Sequence, residues 1–357
     1  MNRVLWVLVL LCVLAACGAE TPDRHASQTP TTTGLLPPGV PTEGDRPPSD
    51  QLPPPAEPQS GPPPSAPAPG RTLSVGAAPE GVVVDAATRT VAVAKRRPNE
   101  LVLINADTGT ITNRTPLPGA VRHLQLAAPG GPVLVPVESA NALVRVDLPG
   151  GAAEPQIITG TVPHDAAQAQ NGDVFVANEH GGTVTVLRGD RILKVFTDSV
   201  QPAGLASVGL SMGLLDVRKN DLTVYDAAGL TIIGATPAGQ GPTHLVADKH
   251  GRMIAADTRG DAVRVFAPLP APHQVGMVGQ SGGPYGIAYD PVRDRLWVAS
   301  SGTNQIIGYD MADARPREIQ RIATAQNPYT VGVDPTTGRL FIAGVTAGVV
   351  QMVDPRP

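Results

Sequence analysis

From residue 71 to residue 357 the chain alternates short apolar runs with tight polar breaks, and the runs have neither the length nor the spacing of helices. They are four to six residues long and rich in Val, Ile and Leu, as in TVAVAK, DVFVAN, RLWVAS and RLFIAG, and Gly, Asp, Asn and Pro bound them. Runs of this kind predict strands. A second kind of run follows each polar loop, as in LVLINADTG, TVTVLRGD and QIIGYD, and a further one, as in EIQRIATA, leads into a proline.

The whole sentence then repeats. APEGVVVD (78–85), VPHDAAQA (162–169), QPAGLASV (201–208), GPTHLVAD (241–248), GPYGIAYD (283–290) and NPYTVGVD (327–334) align on their proline, and AVRHLQLA (120–127) aligns with Val121 in its place. The marker positions 79, 121, 163, 202, 242, 284 and 328 are spaced by 42, 42, 39, 40, 42 and 44 residues. A period near 40 marks a repeat architecture, and four strands per period make a propeller blade.

Residues 71–357 number 287, and 287 divided by seven is 41, so seven blades use the segment completely. The last copy stops after its third strand, at GVVQMVDPRP, while RTLSVG (71–76) stands ahead of the first copy where a fourth strand would stand. The expected fold is therefore all-β: a seven-bladed β-propeller of four-stranded antiparallel blades, closed by an N-terminal strand that hides the edges of an open ring. The rival is a right-handed parallel β-helix, whose coils are shorter than this period.

The repeats resemble those of seven-bladed propellers with YVTN-type repeats, found among secreted and lipid-anchored bacterial proteins. The resemblance rests on the Pro-x-Gly-(apolar)-Asp start, on Val174-Phe175-Val176-Ala177-Asn178 as a VxVAN-like second strand, and on Leu101-Val102-Leu103-Ile104-Asn105 as a VxVID-like third. It covers the chain after Gly70. Blade two departs from it at Val121, and blade four (GLSMGLLDVRKNDLTVYD) follows it loosely. Such propellers include binding proteins, scaffolds and enzymes, so function must come from a site.

The other end of the chain has a different composition. Arg3 precedes an apolar run from Val4 to Ala16, too short to span a membrane comfortably, which reads as an export signal. Leu14-Ala15-Ala16-Cys17 resembles a bacterial lipobox, which implies a lipidated, palmitate-bearing Cys17 as the first residue after cleavage of signal peptide 1–16. The alternative is an ordinary secretory signal with an incidental cysteine. The only other cysteine, Cys12, lies inside the apolar run, which leaves the exported domain without a disulfide. Sixteen of the chain's 39 prolines fall between residues 21 and 70, so 17–70 reads as a disordered proline-rich tether between the anchor and the propeller at 71–357.

The formal charge is −4, aromatic residues make up 3%, and no basic cluster exceeds Lys95-Arg96-Arg97. This is not the electrostatic footprint of nucleic-acid binding, and no nucleic-acid partner is implied. The expected location is the extracytoplasmic face of the plasma membrane, with the protein as a lipid-anchored monomer that meets an envelope protein or polymer.

In propellers of this family the turn into the first strand and the loop between the second and third emerge on one face around the channel mouth. Candidate chemistry is therefore sought where those loops meet: His123, His164, His180 and His244, with Glu80 and Glu179, and with Asp165 and Asp257 nearby. Such a set suits a borderline divalent metal or acid–base work. The competing explanation is that seven polar turns around a wet funnel contain histidines whatever the protein does. Nothing requires a cofactor, and a divalent metal is the one candidate. Tyr285 and Tyr329, directly after their prolines, offer stacking faces at the entrance. Asn178-Glu179-His180-Gly181-Gly182 reads as a hairpin turn, Asp85, Asp248, Asp290 and Asp334 as turn caps, and Trp297 as packing between blades.

Three functions fit. A binding or scaffold module acting through its top-face loops needs nothing more than these features. A metal-dependent lactonase-like or lyase-like enzyme, with its site at the channel mouth, finds only scattered counterparts: Glu80 and Asn178 for the first, and His244 or His180 with Glu179 for the second. A redox carrier of the quinoprotein type lacks the tryptophans, since the chain has two.

Overall fold

The computed structural model describes residues 51–356. The expected signal sequence, Cys17 and the expected tether as far as Asp50 lie outside the described residues. From Arg71 onward the chain forms seven sheets, each of four antiparallel strands. The first strands of successive blades touch one another around a closed ring. In six blades the strands pair in sequence order. In the seventh, Arg71–Ser74 pairs with Val349–Val353 in the register Arg71 to Met352 and Leu73 to Val350, so the two ends of the propeller share one sheet as expected.

The repetition has a local cause. In every blade the residue before the marker position accepts a backbone hydrogen bond from the residue that leaves the second strand. The pairs run from Arg96 N to Ala78 O (3.2 Å) and Glu138 N to Ala120 O (2.9 Å) through to Val345 N to Asn327 O (3.2 Å). The marker proline, which has no N–H, begins the first strand opposite the end of the second, as with Pro202 and Asp216 or Pro242 and Asp257. Those end residues close the crossing turn with their side chains: Asp216 accepts from the amides of Val200 (2.6 Å) and Gln201 (3.3 Å), and Asp257 from those of Gln240 (2.9 Å) and Gly241 (2.8 Å). Asn178 holds the same place through Thr185 Oγ1 (3.0 Å) and the Thr159 carbonyl (3.4 Å).

At the opposite end of the first strands, Asp85, Asp248, Asp290 and Asp334 accept backbone amides two or three residues on, from Thr88, His250, Val292 and Thr336. They cap turns, as their place in the repeat predicts.

Seven apolar clusters fill the interfaces between neighbouring blades. One joins Val91 and Val102 to Phe341 and Val350 across the closing interface, and another joins Phe175 and Phe196 to Leu214 and Tyr225 across blades three and four. Trp297 is fully buried and packs on Val331 and Leu340 of the next blade, which agrees with its reading as packing. Each sheet is thus covered on both faces, and second strands such as Val133–Val137 and Leu340–Gly344 are buried along their whole length instead of alternating.

The irregular blade is the second. Its first and last strands shrink to Gln125–Leu126 and Ile157–Ile158, and Pro136 lies inside its second strand, Val133–Val137. Blade four, loose in sequence, is regular, with strands Pro202–Val208, Ser211–Asp216, Asp221–Asp226 and Thr231–Pro237.

Residues 51–70 differ from the tether that their composition suggests. They form no strand, yet they lie on the propeller, where Arg218 Nη2 donates to the Leu52 carbonyl (2.9 Å) and Asn304 Nδ2 to that of Pro62 (2.7 Å). Proline-rich sequence cannot build a core of its own, but a preformed face supplies the partners that it lacks.

Candidate functional site

In six of the seven blades the register slips just after the marker proline, between Pro163 and Asp165 for example, and between Pro242 and His244. A bulge at this place turns the next side chains away from the sheet and toward the channel. Glycine at 81, 204 and 286 lets neighbouring first strands close in, since a Cβ at Gly286 would stand 2.2 Å from the Tyr329 carbonyl. The larger side chains of the other blades share the space that remains.

They share it as a row of rings. His164 and His123 have centroids 4.3 Å apart, His123 and His244 4.3 Å, His244 and Tyr285 4.4 Å, and Tyr285 and Tyr329 5.8 Å. The row draws on blades three, two, five, six and seven, so it crosses the mouth of the channel. Beneath it the channel encloses about 350 Å³, walled by Val82, Leu124, Leu245, Ile287 and Val331 and roofed by His123 and His244.

Three carboxylates and two arginines stand beside the row, and its end ring, His164, is a third cation. Arg96 pairs with Glu80 (3.1 Å) and Glu138 (3.5 Å), Arg122 with Glu138 (3.0 Å), and His164 Nδ1 with Glu179 (3.3 Å) and Glu138 (3.6 Å). Gln201 Nε2 donates to the other oxygen of Glu179 (2.8 Å). Burial opposes a charge on His164, but the carboxylates of Glu138 and Glu179 outweigh it and push the imidazole up to about 10. Burial likewise opposes the Glu179 carboxylate, and His164 overcomes it and holds that group down to about 2.

The other two imidazoles stay neutral. Burial, then the neighbouring His244 and His164, press His123 well below its ordinary range, and burial brings His244 down to about 3. Burial raises the carboxyl of Glu80 despite Arg96 and Arg122. Neither ring nitrogen of His244 has a hydrogen-bond partner, although the residue is only 7% exposed. A neutral imidazole in this state can donate one hydrogen bond and accept another.

The structure thus brings together His123, His164, His244, Glu80, Glu179, Tyr285 and Tyr329. It does not bring in His180, which is exposed one residue beyond Glu179 on a short 3-10 turn. That turn recurs at Glu138–Ala140 and Ser301–Thr303, with Asn141, Gly182 and Asn304 in the left-handed conformation that ends it, so 178–182 is an ordinary connection of this fold. Tyr285 is no open stacking face: it is 6% exposed, wedged between His244 and Tyr329. Asp257 caps a crossing turn, and Asp165 ties three blades together through Gln125 (2.9 Å) and the Leu205 amide (2.8 Å).

Arg96, Arg122, Glu138 and Gln201 complete the cluster. Their place in the same two sets of loops was the available signal for the first three, while Gln201 carries none beyond standing just before its marker.

Among the described residues no group of three or more His, Cys, Asp or Glu side chains is arranged to hold a metal ion. The donor set explains this. Two of the imidazoles meet nearly face to face, and the third carries a proton between two carboxylates, so their lone pairs do not converge.

No protein-family model matches the sequence, and comparison with curated proteins finds no match. Solved structures do resemble it. One chain of a mitotic checkpoint complex superposes with a TM-score of 0.69 at 12% identity, over 82% of this chain and 96% of that one. A streptogramin B lyase gives 0.65 at 14%, over 79% and 96%. A catalytically inactive virginiamycin B lyase from Staphylococcus aureus, with quinupristin, gives 0.62 at 16%, over 80% and 99%. At these identities the likeness shows the seven-bladed fold alone.

Proposed function

We propose that this chain is a lipid-anchored docking module of the YVTN propeller type, held through Cys17 at the extracytoplasmic face of the plasma membrane and presenting its top-face loops to an envelope protein or polymer. The observation that carries the reading is the mutual neutralisation of the funnel. Arg96, Arg122 and His164 are matched by Glu80, Glu138 and Glu179, so these charges pair with one another across blades one to three. What remains for a partner is the polar rim.

The test is a photo-crosslinking residue in place of exposed His180 on the rim, and another in place of Lys249 on the opposite face, in cells that make the full chain. A discrete adduct from position 180 and none from 249 is the expected result; equal labelling from both would overturn the docking face. For the anchor, Cys17→Ala should abolish palmitate labelling and release the protein from membranes, and unchanged labelling would remove that part of the reading.

The second reading, a lactonase-like or lyase-like enzyme, draws support from His244, whose two unpartnered nitrogens roof the channel. Among the described residues a metal-dependent form has no converging donor set to rest on.

A further inference from the structure

We infer that the rim of blades four to seven is a groove for an extended proline-rich polypeptide, and that residues 52–62 of this chain are its resident occupant. The inference rests on the docking reading and names the partner's chemistry: a drawn-out, proline-rich segment of another protein that displaces the strap.

The strap is held at intervals by one blade after another. Arg218 of blade four donates to the Leu52 carbonyl (2.9 Å) and Arg259 of blade five to the Pro54 carbonyl (2.5 Å). Asn304 of blade six reaches the Pro62 carbonyl (2.7 Å), and Gln326, just ahead of blade seven, reaches that of Gly61 (3.0 Å). In return the Gly61 amide donates to Asn327 Oδ1 (2.9 Å). Four of these five bonds end on main-chain carbonyls. Proline keeps its carbonyl but has no N–H, and a proline-rich chain with no internal hydrogen bonds offers those carbonyls freely. A rim of arginine and amide donors complements the main-chain carbonyls of such a chain.

Glycines in the floor also leave room for side chains of the strap. A Cβ at Gly241 would come within 2.7 Å of Ala56, and one at Gly283 or Gly302 within 2.8 or 2.5 Å of Gln59. Ala56 is buried in this floor. Between the strap and the ring row only about 20 Å³ stays open, lined by Pro55, Glu57, His164, Glu179 and Tyr285, which is room for about one water. The strap therefore fills its groove, and a partner must replace it. Only eight residues link Pro62 to the closing strand at Arg71, so the strap competes at an effective concentration on the order of millimolar.

The experiment uses the full chain, with residues 53–61 replaced by a glycine–serine segment of equal length, and a fluorescent synthetic peptide of residues 51–64 (QLPPPAEPQSGPPP) as the probe. The strap-replaced chain should bind the peptide at least tenfold more tightly than the wild type, and adding Arg259→Ala and Asn304→Ala should cut that gain at least tenfold. Equal affinities, or no saturable binding by a chain that melts normally, would overturn the groove.

A measurement on the wild type guards against a variant that does not fold. Hydrogen exchange of the Gly61 amide should be at least tenfold slower than in the free peptide, and exchange at the free rate would likewise sink the proposal. The two readings fail separately. An adduct from position 180 without peptide binding leaves docking and removes the groove, whereas peptide binding without any adduct leaves the groove and removes docking.

Discussion

His123 and His244, on blades two and five, lie nearly face to face across the channel mouth, with centroids 4.3 Å apart and planes inclined by 28°. Two protonated imidazoles could not share that space, and burial keeps both neutral.

The first prediction concerns acid. Below about pH 6.5 an unfolded chain takes up protons on these two histidines while the folded chain does not, so stability falls as the pH drops from 6.5 toward 3. His244→Asn, which cannot titrate, should show a shallower decline in unfolding free energy between pH 6.5 and 4. An unchanged slope in urea titrations would show that His244 is not held neutral.

His164 predicts the opposite on the alkaline side. Its folded value is raised to about 10, so its contribution is complete below about pH 6.5 and is lost as the pH rises through 10. His164→Asn leaves Glu138 and Glu179 short of a cation and should cost about 2–4 kcal/mol at neutral pH. The same substitution should cost much less at pH 10.5. Denaturant midpoints that differ equally at both values would refute the ion pair.

Ring closure can be tested alone. Val75 is 1% exposed in the cluster between blades seven and one, directly after the closing strand. Val75→Ala should cost about 1–2 kcal/mol through lost packing, and deletion of 71–76 several kcal/mol or folding itself, because the edge of Val349–Val353 loses its partner. An unaltered melting curve after the deletion would mean that the ends do not close the ring.

Ala78 stands before the first marker proline with φ of +55°, and Val162 and Asn327 hold the same place at +54° and +56°. A side chain other than glycine is strained there. Ala78→Gly should therefore stabilise the protein by about 0.5–1 kcal/mol and raise Tm by about 1–2 °C. Gly283→Ala, at φ of +64° and beneath Gln59, should destabilise it. Calorimetry that gave both changes the same sign would contradict the turn geometry.

The ring was legible in sequence because every blade solves one problem: two covered faces and one crossing turn. The marker proline, the turn-capping aspartates and the apolar middle strands each leave a side-chain signature. His123, His164 and His244 were accessible by the same logic, since they occupy the first or second place after a marker. His180 was misplaced because the chain turns outward in a single residue after Glu179, and side-chain type does not record that turn. Tyr285 looked open because its burial depends on His244 and Tyr329, which come from other blades. The strap left the faintest trace. Its contacts use main-chain carbonyls, which every residue carries, and its proline content matches that of an unstructured linker.

The order of segments along the N-terminal part of the propeller has a mechanical consequence. The strap lies directly upstream of the strand that locks the ring, so a pull applied from beyond Leu52 meets the hydrogen bonds of Leu52, Pro54, Gly61 and Pro62 before it meets the ladder from Arg71 to Ser74. The strap bonds stand singly and can be peeled one at a time, while the ladder must yield as a unit. Tension on this side would strip the rim clean while the seven blades stayed whole, as a fuse parts ahead of the circuit it guards.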